Sequence, residues 1–160
     1  MSGKATLTAL KNLQVGQHRI PAFNNFPNTS IQGKPLLIYH SAFQTPSASQ
    51  IESHLSSIGV VTPAWRYTMY STSHFHSNNP GRVEREVQKG DVIVVPAGVA
   101  HRLLEDKGGF SMVGSYPGGK SWDICYGREE EADKVGNIKH LGWFDKDPIY
   151  GDKGPVLDVS

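Results

Sequence analysis

The sequence predicts a mainly β fold in one domain, and three observations carry that prediction. Seventeen glycines and ten prolines are scattered along 160 residues, with short apolar runs between them, the layout of a turn-rich β protein. Val92, Ile93, Val94 and Val95 form a continuous β-branched run between Lys89-Gly90-Asp91 and Pro96-Ala97-Gly98, a strand between two turns. A single segment shows helical periodicity.

In chain order, residues 1–19 read as a polar, extended arm, and 20–160 as the domain with a C-terminal tail packed on it. Ile20-Pro21, Phe26-Pro27 and Lys34-Pro35 favour extended backbone and forbid long helices. Leu36, Leu37, Ile38 and Tyr39 then make a short apolar strand. The helix falls near 48–58: Ser47 and Gln50 have capping-box spacing, Ile51, Leu55 and Ile58 share one face, and Gly59 terminates it. The apolar stripe should pack on the outside of a sheet, leaving Glu52 and His54 solvated.

From Val60 onward the pattern is β. Trp65, Tyr67 and Met69 alternate with Arg66, Thr68 and Tyr70, as in a half-buried strand. Asn78-Asn79-Pro80-Gly81 is a turn, and 82–88 reads as a strand with one wet face. The run at 92–95 should be buried on both faces. Leu103-Leu104, 110–116 and 122–126 should continue the meander, and 128–134 reads as a short solvated helical turn. The tail, with Trp143, Phe144, Ile149 and Tyr150, is loop-like but too aromatic to be wholly disordered.

Composition narrows the function classes. A formal charge of +1 without basic blocks argues against nucleic-acid binding. No apolar stretch approaches a membrane span, and the first residues lack the apolar core of a signal peptide. A lone Cys125 excludes an internal disulfide framework and suits a reducing compartment. The expectation is a cytoplasmic protein with no membrane or nucleic-acid partner.

Three histidines could hold a metal. On an extended segment His74 and His76 project from one face, and His101 follows the Pro96/Gly98 turn. Three imidazoles would suit Zn, Fe, Mn, Cu or Ni and leave positions open for water or substrate. The competing reading makes His74-Phe75-His76 a polar strand end. Glu105 reads as an exposed charge. His18, His40, His54 and His140 have no partner at ligand spacing and read as surface or hydrogen-bonded residues. Cys125 reads as a buried, inert thiol. Tyr67, Tyr70 and Trp122 fit a barrel mouth or a core equally well.

The stretch GDVIVVPAGVAH at 90–101 resembles the second motif of the cupin family. The wider order of features is similar to the YjlB-like branch of that superfamily. It runs through Phe26-Pro27-Asn28, PLLIY at 35–39, the Trp65 to Tyr70 run, HFHS at 74–77, VGSYPGG at 113–119 with Trp122-Asp123, and DPIYG at 147–151. The resemblance extends to cupin-domain oxidoreductases of fungal polyketide pathways. It implies a double-stranded β-helix (jelly-roll) barrel holding one divalent metal ion through His74, His76 and His101. It also implies a metal-dependent oxidoreductase acting on a small organic molecule, such as a polyketide or other natural-product intermediate. Barrels of this kind often form homodimers through strand edges.

One departure cuts into the resemblance. The first cupin motif needs a Glu soon after its His-x-His, where this chain has Pro80 and Gly81. Only thirteen residues, 77–89, separate His76 from Gly90. At about 3.3 Å per residue they supply one turn and one strand, not three strands. A barrel hairpin is therefore expected to be missing, and the metal carboxylate with it. Three explanations stand: a deletion in the gene or its splicing model, a natural degenerate homologue, or a site recruiting Glu84 or Glu86. The first is favoured, because the flanking sequence keeps the family pattern. A degenerate barrel that binds a small molecule without metal is the alternative function.

Overall fold

A computed structural model describes residues 5–67 and 79–160, the side chains of Trp65 and Tyr67 excepted. It is mainly β, with seven strands among the described residues, all paired antiparallel. The N-terminal nineteen residues contribute two of them, β1 (Thr6–Leu7) and β2 (Gln14–His18). Next come β3 (Leu36–His40), β4 (Phe43–Gln44), the helix α1 (Ala48–Ile58) and β5 (Val61–Tyr67). The strands β6 (Val92–Val94) and β7 (Met112–Pro117) follow, then a short helix α2 (Ala132–Asn137).

The strands form three sheets among the described residues: β1–β4, β2–β3–β6 and β5–β7, without closing into a barrel. At the centre β3 pairs Leu37 with Val94, Ile38 with Ile93 and Tyr39 with Val92. Leu37, Tyr39 and Val94 turn to one face and join the main core with Phe43, Leu55, Ile149 and Val156. No helix among the described residues is long and apolar enough to cross a membrane.

The helix occupies the residues its sequence predicts. Ser47 and Gln50 complete a reciprocal capping box, and Gly59 ends the helix in the left-handed region at φ 75°. Leu55 is buried, and the helix lies against β5 and β7. His54 is not solvated as expected. Its Nε2 lies 2.8 Å from the Ile149 carbonyl, and its ring stands edge-on to Phe43. Once the tail crosses the helix it brings an acceptor that the periodicity of 48–58 could not announce.

Several expected strands are absent. Residues 82–88, 103–104 and 122–126 have no regular structure, and Leu104, Trp122 and Tyr126 are exposed. Alternation alone does not make a strand where no neighbouring strand accepts its hydrogen bonds. The run at 92–95 also departs from expectation: Val94 is buried, whereas Ile93 and Val95 are exposed. β6 is an edge strand of its sheet, and on the face away from the core Ile38 of β3 is buried while Ile93 and Val95 are left uncovered.

The tail forms a buried latch. Asp147 and Gly151 exchange both backbone hydrogen bonds, and Asp147 Oδ1 accepts from the Ile149 and Tyr150 amides. Trp143 Nε1 donates to the Val156 carbonyl, and Tyr150 Oη donates to the Thr8 carbonyl. Residues 129–137 form the short solvated helical segment expected near 128–134.

Candidate functional site

The 90–101 stretch is built as a strand followed by a tight turn, and its two motif glycines are demanded by the backbone. Gly90 has φ +98°, and a Cβ there would run into the Phe43 carbonyl, which lies beside the Phe43 amide's hydrogen bond to Gly90. Gly98 has φ +89°, and a Cβ there would lie 2.6 Å from Pro27 Cγ and 3.0 Å from Ile138 Cδ1. Pro96 is buried, and the Val99 amide donates to its carbonyl across 3.2 Å.

A second segment clamps this turn from outside. Asn28 is buried with φ 48°, a left-handed conformation that Asn tolerates better than most residues. Its amide donates to the Gly98 carbonyl (3.1 Å), its Oδ1 accepts from the Ala100 amide (3.3 Å), and its Nδ2 donates to the Pro21 carbonyl (2.9 Å). In the sequence Phe26-Pro27-Asn28 carries only a family resemblance. The available signal was an Asn directly after a proline, a residue pair suited to a strained turn.

His101 leaves this clamped turn on the exposed side. Its Nδ1 lies 3.0 Å from the Val99 carbonyl. A carbonyl only accepts, so Nδ1 carries the proton and, in the neutral ring, Nε2 keeps its lone pair. A ring fixed through one nitrogen with the other open is how a metal-binding imidazole is held. His74 and His76 lie outside the described residues. Among the described residues, no group of three or more His, Cys, Asp or Glu side chains could hold a metal ion.

The carboxylate question resolves in part. Pro80 and Gly81 form a turn whose Gly81 amide donates to Asn79 Oδ1, and Gly81 is packed tightly against the Pro21 ring. Glu84 pairs with Arg82 at 2.5 Å, and Glu86 faces Lys107 at 3.5 Å with its side chain 79% exposed. Both carboxylates are thus engaged with surface cations. Glu105 is exposed, as its sequence reading had it.

Cys125 is half-buried, and burial, with Glu131 and Asp123 adding to it, pushes its thiol pKa up. That disfavours the reactive thiolate. Trp122 is 64% exposed, and Tyr126 carries the Arg128 guanidinium 5.2 Å over its ring.

No family model matches the chain, and no solved structure matches it. Among curated proteins the chain is similar to the uncharacterized protein YjlB of Bacillus subtilis (strain 168). The identity is 29% over 144 residues, covering 78% of this chain and 85% of that protein.

Proposed function

We propose that this protein is a cytoplasmic, metal-dependent oxidoreductase of the cupin type, acting on a small organic molecule in a jelly-roll barrel. The similarity to YjlB along most of both chains supports the YjlB-like order of motifs. The observation that carries the metal reading is His101: a clamped turn presents its ring, Nδ1 donates to the Val99 carbonyl, and Nε2 keeps its lone pair for a metal. In this reading His74, His76 and His101 hold one divalent ion drawn from Fe, Mn, Zn, Ni or Cu. When bound, the ion would supply Lewis-acid or redox chemistry at its open positions. A natural-product intermediate such as a polyketide is the substrate class the family resemblance suggests, and a homodimer is the assembly it suggests.

The test is metal content after purification without chelators, compared with a His74→Ala/His101→Ala variant. About one equivalent in the wild type and a clear loss in the variant support the reading. Equal content in the two ends it.

One observation favours a second reading, a barrel that binds a small molecule without metal. The carboxylate position is a packed Pro80-Gly81 turn, and Glu84 and Glu86 are paired elsewhere. Sequencing the transcript across codons 76–82 separates the two. A longer message encoding a Glu-bearing hairpin restores the metalloenzyme, and an unchanged junction favours the binding barrel.

A further inference from the structure

A separate pair of imidazoles meets on β2 and β3. The antiparallel register sets Gln14 opposite His40, Gly16 opposite Ile38 and His18 opposite Leu36. Alternation puts Gln14, Gly16 and His18 on one face of the sheet with Leu36, Ile38 and His40. His18 and His40 flank Gly16 on that face as neighbours along and across the strands. Both rings lean over the glycine: a Cβ built there would lie 3.3 Å from His18 Nε2 and 3.6 Å from His40 Nε2. The same ring nitrogen of each histidine therefore points into the space that a side chain at position 16 would fill.

The surroundings act differently on the two rings. Burial lowers the His18 pKa, and the neighbouring Arg85 and His40 lower it further. Behind His40, Asp91 Oδ2 lies 3.9 Å from Nδ1, and the Asp91 side chain is only 3% exposed. That carboxylate is pinned by the Ser41 amide at 2.7 Å and the Gln88 amide at 3.0 Å. Its approach to hydrogen-bond length needs a ring shift of about 1 Å. A carboxylate behind an imidazole fixes the tautomer and strengthens the opposite nitrogen as a ligand. A polar cavity of about 380 Å³ opens beside His40, lined also by Thr8, Asn12, Gln14, Ser41 and Gln88.

We propose that His18 and His40 form a two-histidine site for a borderline divalent cation such as Zn²⁺, Ni²⁺ or Cu²⁺, with Asp91 orienting His40. Water or a small ligand in the cavity completes the coordination. Imidazole nitrogens select this class over Mg²⁺ and Ca²⁺, which take oxygen donors. The site is independent of His74, His76 and His101, so its fate does not follow that of the proposed oxidoreductase centre.

The experiment is a Zn²⁺ and Ni²⁺ titration by equilibrium dialysis of the full chain and of a His74→Ala/His76→Ala/His101→Ala variant, with circular dichroism to confirm folding. The triple variant should still bind about one equivalent, and adding His18→Ala/His40→Ala should abolish it. Gly16→Ala, which fills the gap without removing a ligand nitrogen, should weaken binding about tenfold or more, the size of loss seen when the groups that orient a metal's ligands are disturbed. If the triple variant does not fold, the wild type is compared with His18→Ala/His40→Ala, which should bind one equivalent fewer. A folded triple variant that binds neither ion, or a His18→Ala/His40→Ala protein with unchanged stoichiometry, overturns the proposal.

Discussion

The Tyr39 hydroxyl donates to Asp147 Oδ2 across 2.8 Å, and neither residue has measurable exposure. The bond ties the central strand β3 to the tail, and the same carboxylate accepts from the backbone amides of Ile149, Tyr150 and Val156. Tyr39→Phe leaves one carboxylate lone pair unmet and should cost about 1–3 kcal/mol in urea denaturation. Asp147→Ala orphans a hydroxyl and several amides together and should cost more. A Tyr39→Phe protein as stable as wild type would mean that the tail is not latched through this bond.

The same pair predicts a pH dependence. Burial, and then the hydrogen bond to Asp147, raise the Tyr39 pKa far above its ordinary value near 10. A raised folded-state pKa gives stability that is complete below the unfolded value and lost as pH rises above it. Loss should therefore begin near pH 10 and continue upward at about 1.4 kcal/mol per pH unit for this one proton. Burial, with Asp147 adding to it, also raises Tyr150, so the wild-type slope should exceed one proton. Denaturation midpoints measured between pH 8 and 11 should fall less steeply in Tyr39→Phe; an unchanged slope would remove Tyr39 from the account.

Asn28 should matter to the turn and not only to the core. Asn28→Gly accepts the φ of 48° but loses both side-chain bonds, to the Pro21 carbonyl and from the Ala100 amide. It should lower stability by about 1–3 kcal/mol and loosen the ring of His101. Asn28→Ala adds the strain of a left-handed Ala and should be worse. The measurements are thermal denaturation and the NMR line width of the His101 ring protons, which should broaden or split in both variants. Sharp, unshifted His101 signals would show that the clamp does not reach the imidazole.

Much of this was legible in the sequence, for reasons that differ by element. The helix at 48–58 was readable because its cap, its stripe and its terminator are all local. The GDVIVVPAGVAH stretch was readable because its glycines answer a local backbone demand. The latch at Asp147 and the His18–His40 pair were not readable. The pair depends on β2 and β3 lying side by side and the latch on where the tail crosses β3 and α1, and sequence separations of 108 for Tyr39–Asp147 and 95 for His54–Ile149 leave no local trace. Residues 82–88 alternate like a strand yet have no regular structure, because alternation records a wet and a dry side and not a partner for the backbone.

Gly98→Ala tests the turn from its other side. The substitution places a methyl against Pro27 and Ile138 at a φ of +89°, so strain and overlap act together. The expected cost is about 1–3 kcal/mol, read by urea denaturation. Ala97→Gly serves as the control, since Ala97 is exposed and neighbours the same turn; its effect should be smaller. Equal effects would mean that the turn relaxes without penalty.

The strand at 92–95 gives the sharpest contrast between faces. Val94 is 7% exposed in the core, whereas Ile93 is 42% exposed although it pairs with the buried Ile38. Val94→Thr buries a hydroxyl among apolar neighbours and should cost about 1–3 kcal/mol. Ile93→Thr keeps the β-branch on an uncovered face and should cost less than about 0.5 kcal/mol. Ile93→Thr/Val95→Thr should also raise solubility, because an uncovered apolar face promotes association. If Ile93→Thr proves as costly as Val94→Thr, that face is covered in solution, by a closed barrel or by a second copy. Analytical ultracentrifugation then decides between those covers: a concentration-dependent dimer lost in Ile93→Thr/Val95→Thr assigns it to the second copy, and a monomer throughout assigns it to the barrel.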